Sequence, residues 1–227
     1  MLALKLGMSI GGSNRPMGSW LPTDETSAVA WYQNGEGITL NGTDVSQWAD
    51  SANSYDMDQA TEDEQPAYNA STGALTFDSS DDQSLQTSSQ ISLAGAFTIG
   101  IKLYPTGDFD ATFIGDNTTS NHLVKYTSTS KIRVKIGGTA GNIPLDSGTF
   151  GDDYLVITRD GSDVLTLHKN GVAQSTTITK SGTALIDAIG VRATDINSYD
   201  GTISEVQIYS STSSDLTANV NTYLAKL

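Results

Sequence analysis

The run DYLVITRDGSDVLTLHKNGVA, residues 153–173, alternates apolar and polar residues and is broken twice by turn dipeptides. Asp160-Gly161 and Asn170-Gly171 are residue types that tolerate the positive φ of tight hairpin turns, so the stretch predicts two consecutive hairpins. A chain that returns on itself this way pairs neighbouring segments antiparallel. The same pattern recurs. TGALTFD sets Leu75 and Phe77 on one face, and AFTIGIKLYP alternates Phe97, Ile99, Ile101 and Leu103 with Thr98, Gly100 and Lys102 until Pro105 ends it. KIRVKIGG points Ile132, Val134 and Ile136 one way and Lys131, Arg133 and Lys135 the other. AIGVRA and GTISEVQIY add two more strands. About ten to twelve short strands, with no helical period before the last residues, predict an all-β antiparallel sandwich.

The C-terminus changes period. Leu216, Val220, Tyr223, Leu224 and Leu227 fall on one stripe of a helix that Ser214 can cap, with Lys226 in its last turn. So short a helix is marginal alone, and its stripe must lie on the sandwich.

At 227 residues with 37% hydrophobic content, the chain can bury one sandwich-sized core. Its net charge of −14 is uneven: residues 31–100 hold eleven Asp and Glu and no Lys or Arg. That field disfavours nucleic acid and anionic lipid as partners. With no cysteine, disulfides are excluded, and two histidines (His122 and His168) do not make the usual zinc site. No stretch approaches the ~20 apolar residues of a membrane helix. The opening MLALKLGMSIGG lacks a secretory apolar region with a cleavage site and reads as mature protein.

Residues 1–20 read as an extended arm and 21–227 as the sandwich. In the arm Leu2, Leu4, Leu6, Met8 and Ile10 alternate like a strand. Leu2, Leu4, Leu6 and Ile10, with Trp20 at the junction, are the candidate anchors to a partner.

An ordered series of short motifs resembles the laminin G-like, concanavalin A-like lectin/glucanase domains. It comprises AWY (30–32), WAD (48–50), QPAY (65–68), LTFDSSDDQSL (75–85) and FTIGIKL (97–103). LVITRDGS (155–162), LHKNGV (167–172), IGVR (189–192) and YDGTISEVQIYS (199–210) complete it. Where the pattern has Gly after its Phe-Asp pair, this chain has Ser79. The resemblance implies a jelly-roll sandwich with an extended N-terminal arm and a short C-terminal helix, and ligand loops along a rim or face. A cysteine-free copy of this kind also resembles a bacteriophage virion protein, assembled in the host cytoplasm.

The enzyme branch of that fold places a Glu-x-Asp-x-x-Glu run on a strand, since retaining hydrolysis needs two carboxylates about 5–5.5 Å apart. The run is missing. Glu62, Asp63 and Glu64 sit in a loop before Pro66, and Glu205 stands alone on a strand with Ile203, Gln207 and Tyr209 assigned to its face. No catalytic residue is assigned. Asp78, Asp81 and Asp82 form one candidate calcium loop, and Asp108, Asp110 and Asp116 a second. No other cofactor is expected. Trp31 and Trp48 fall where core packing is expected.

The leading expectation is a non-enzymatic virion component, a capsid decoration or tail protein displaying a lectin-like domain. Its partners would be other virion proteins and further copies of itself. The alternative is a carbohydrate-binding module or receptor-binding lectin contacting a surface glycan, in an extracellular setting; a glycoside hydrolase is the third reading.

Overall fold

The strand Phe97–Pro105 lies between Gly201–Tyr209 and Asp153–Arg159, antiparallel to both, at the middle of one sheet. In the computed structural model, residues 20–107, 109–192 and 197–227 are described. Val164–Lys169 continues this sheet beyond Asp153–Arg159, while Ala74–Phe77 and Ala28–Tyr32 share the far side of Gly201–Tyr209. The second sheet runs Met57–Asp58, Leu85–Leu93, Ala184–Ile189, Thr112–Gly115, Leu123–Ser128, Lys131–Ile136, Thr139–Pro144, again wholly antiparallel. Asp44–Trp48 links the two, pairing with Met57–Asp58 and, through Asp44, with Ala67 of the first sheet's edge. The result is an all-β sandwich with one short C-terminal helix, as the alternation predicts.

The inward positions make one core. Ile99, Ile101 and Leu103 face Phe113, Tyr126, Ile132, Val134 and Ile136, all essentially removed from water. At ~25 cal/mol per Å² of apolar surface, this burial is the main force holding the sheets together. Leu75, Phe77 and Trp48 join it as expected.

The two hairpins differ. Asn170 (φ 49°) and Gly171 (φ 80°) form the expected two-residue turn, with Lys169 paired to Val172. Around Asp160 the loop has four residues, Asp163 takes the positive φ (63°), and Asp160 Oδ1 accepts from the N–H groups of Ser162 and Val164. A side-chain acceptor does there what a second glycine would otherwise do.

The helix spans Ser214–Leu224. Its cap is Ser213, one residue earlier than the sequence suggests, with Oγ accepting from Leu216 N at 3.0 Å. It also ends before Lys226, so no cation sits in its last turn. Leu216, Val220 and Leu224 are buried against Val156 and Tyr209 on the outer face of the first sheet. Gly100 permits the approach, since a Cβ there would lie 2.5 Å from Val220 Cγ1. Leu227, the last residue of the predicted stripe, is instead 43% exposed.

Leu2, Leu4, Leu6, Met8 and Ile10 lie outside the described residues. Trp20 packs against Tyr209 and Tyr223 of its own domain, and its Nε1 donates to Glu25.

Arg159 carries a second buried device. Fully enclosed, it lies over the Phe97 ring and donates to the carbonyls of Leu93, Gly95 and Gly182. Among the described residues only Asp163, at 3.9 Å, offers it a carboxylate.

Candidate functional site

Gly201–Tyr209 does not alternate strictly. A register shift between Ile203 and Glu205 puts two residues opposite one, so Ile203, Val206 and Ile208 face the inner core while Glu205, Gln207 and Tyr209 face outward. Ile203 and Glu205 are therefore on opposite faces, not on one as strict alternation requires. The helix and Trp31 cover this outward row, which is why Glu205 is fully buried.

A buried carboxylate must be met by donors. Glu205 Oε1 accepts from Trp31 Nε1 and, at 3.0 Å, from Gln207 Nε2, and Oε2 accepts from Asn34 N at 2.7 Å. Tyr209 in turn donates to Gln207 Oε1 at 2.9 Å. Burial pushes the Glu205 carboxyl up to about 7 against the opposing pull of those three donors. Among the described residues the network holds no second carboxylate to divide acid and base roles.

Asn34, fixed from below by Glu205, borders a cleft of about 560 Å³ on the outer sheet face. Lys102, Tyr104, Thr202 and Ser204 come up from the two central strands of that sheet, Asn69 and Thr72 from the neighbouring turn, and Asp152 and Leu227 close the sides. Tyr104 is 45% exposed, an aromatic face presented to solvent. Lys102 Nζ lies 2.6 Å from Asp152 Oδ1, so the cleft's cation and anion neutralise each other. Asn34 Oδ1 is buried against Gly73, and among the described residues nothing donates to it. Such an acceptor costs ~1–3 kcal/mol unless something donates to it.

The acidic candidates are elsewhere. Asp78 Oδ1 accepts from the N–H and hydroxyl of Ser80, and these bonds hold its carboxyl below the usual range. Asp82, in the left-handed region (φ 52°), takes the strained position of this loop and accepts from Ser198; Asp81 is exposed. Asp110 pairs with Lys125 at 2.5 Å, Asp116 accepts from Thr118 and Thr119, and Asp108 is outside the described residues. Among the described residues no three His, Asp or Glu side chains converge to hold a metal ion. Glu62 and Asp63 are exposed in a 3-10 turn before Gln65 and Pro66.

No family model matches the chain, and no curated protein does so either. Solved structures match in fold. Domain 4 of a GH43 extracellular arabinanase from Geobacillus stearothermophilus, solved in complex with arabinotriose, is 15% identical, with a TM-score of 0.57 over 88% of this chain and 98% of its own. A Trypanosoma rangeli sialidase, solved with the inhibitor DANA, is 12% identical, with a TM-score of 0.56; 87% of this chain matches 32% of that one. A sialidase CBM40 of Ruminococcus gnavus, bound to α2,6 sialyllactose, is 16% identical over 56% of this chain, with a TM-score of 0.43.

Proposed function

We propose that this protein is a non-catalytic carbohydrate-binding module that takes a neutral saccharide in the cleft beside Tyr104. The observation that carries the reading is the lining itself. An exposed aromatic ring offers an apolar face to a sugar ring, and amide and hydroxyl groups stand around it. The internally compensated Lys102–Asp152 pair can donate to one sugar hydroxyl and accept from another, and leaves no net charge to select an anionic sugar. A sandwich of this fold from the Geobacillus arabinanase holds a trisaccharide, which makes arabinotriose the first probe.

The test is calorimetric titration with neutral arabino-, xylo-, gluco-, galacto- and manno-oligosaccharides of two to eight units. Saturable binding of at least one series is expected; no binding to any overturns the reading.

Placement in a phage particle, among other virion proteins and further copies of the chain, is a separate reading resting on sequence resemblance and residues 1–20. Quantitative mass spectrometry of purified particles tests it, and absence from them overturns it.

A further inference from the structure

A second cleft lies on the same sheet face, at the other end of the helix. It has a volume of about 490 Å³ and is walled by the helix on one side and by the hairpin strands around Thr158 and His168 on the other. Three observations mark it as unfinished. Asn221 Nδ2 donates to Thr217 O at 2.8 Å, which fixes the amide orientation, and among the described residues nothing donates to its Oδ1. Among the described residues, neither ring nitrogen of His168 has a hydrogen-bond partner, and nor do the hydroxyls of Thr158 and Thr212. Asp160 commits Oδ1 to the N–H groups of Ser162 and Val164, and Oδ2 receives no donor from the described residues.

This lining differs from a plain solvated edge because its groups are complementary in kind. Asp160 accepts, the two threonines both donate and accept, and His168 does both when neutral. Burial lowers the His168 basicity, which favours the neutral ring at pH 7. A ligand that supplies several closely spaced hydroxyls, each donor and acceptor at once, satisfies the set; an anion would meet the Asp160 carboxylate.

We infer that the cleft between Asn221 and His168 is a second saccharide subsite, so that the helix divides one glycan-binding face into two. The inference rests on the reading of the first cleft as a sugar site and extends it to the length of glycan engaged. The intervening helix has eleven residues and is ~16 Å long. The two clefts share no lining residue, so they engage separate parts of one glycan, and a ligand long enough to span them gains by effective concentration.

The experiment is an NMR titration of the whole chain, with backbone amide and His168 ring resonances assigned, against the same neutral oligosaccharide panel. Expected are saturable shifts at His168 and Thr212 as well as at Lys102–Tyr104, and affinity at least tenfold higher for octasaccharides than for trisaccharides. His168→Ala should abolish the shifts around Thr212 and weaken octasaccharide binding 3- to 10-fold, leaving trisaccharide shifts at Tyr104 intact. Should His168→Ala fail to fold, Thr212→Val gives the same readout from a partly exposed loop position. Shifts confined to the Tyr104 cleft overturn the second subsite and leave the first reading standing. Shifts at neither cleft overturn both.

Discussion

The carboxylate of Glu205 holds the main-chain N–H of Asn34 at 2.7 Å across 171 residues of sequence. That bond ties the loop bordering the Tyr104 cleft to the central strand beneath it. The cleft is thus built on a buried charge, and the charge sets how the domain responds to pH.

Stability should fall as pH rises from about 4.5 to about 7. Burial raises the Glu205 carboxyl from 4.5 to about 7, so in that window the folded state holds a proton that the unfolded chain has released. The contribution is full below 4.5, is lost through the window, and is flat above 7. Its size is about 3 kcal/mol at 1.36 kcal/mol per unit. Urea denaturation of the wild type and Glu205→Gln at pH 4.5, 6 and 7.5 checks this. The variant should lack this component of the slope.

Arg159→Met should destabilise the sandwich by about 3 kcal/mol or more. Methionine fills much of the volume over Phe97 but leaves the carbonyls of Leu93, Gly95 and Gly182 buried without their donor. The urea midpoint reports the loss. A change under 1 kcal/mol would mean that water reaches those carbonyls.

Gly100→Ala should cost about 1–3 kcal/mol, because the new methyl meets Val220 Cγ1 at 2.5 Å and Leu224 Cδ1 at 3.2 Å. The helix must lift. Since it walls the cleft at His168 and leads into Leu227 at the side of the Tyr104 cleft, saccharide affinity should drop with stability, and both are read from one preparation by thermal melting and calorimetry.

Strands were legible because their inward residues obey a period of two. Ile132, Val134 and Ile136 needed only the alternation, and Leu216, Val220 and Leu224 only the helical one. Glu205 was misplaced because one bulge reverses parity, and no residue type in GTISEVQIY announces it. The burial of Glu205 and Gln207 was hidden for another reason. They lie on an outward face, and only the docking of a helix from the end of the chain encloses them. Nothing in the sequence around Arg159 marks it as buried, because its partners are carbonyls from two distant turns. The Tyr104 cleft draws Asn34, Asn69, Lys102, Asp152 and Thr202 from five separate segments, none with a motif of its own. One local hint was present: the QNGEG run after Trp31-Tyr32 sets two positive-φ glycines beside Asn34 and turns the chain over the sheet edge.

The most direct test of the account is the affinity of the wild type and of Tyr104→Ala for the tightest-binding neutral oligosaccharide. Tyr104 is exposed and outside the core, so the substitution should leave the melting temperature within about 2 °C. Affinity at least tenfold weaker, with the fold intact, is the predicted result. Equal affinity in the two proteins would contradict the placement of the sugar in this cleft.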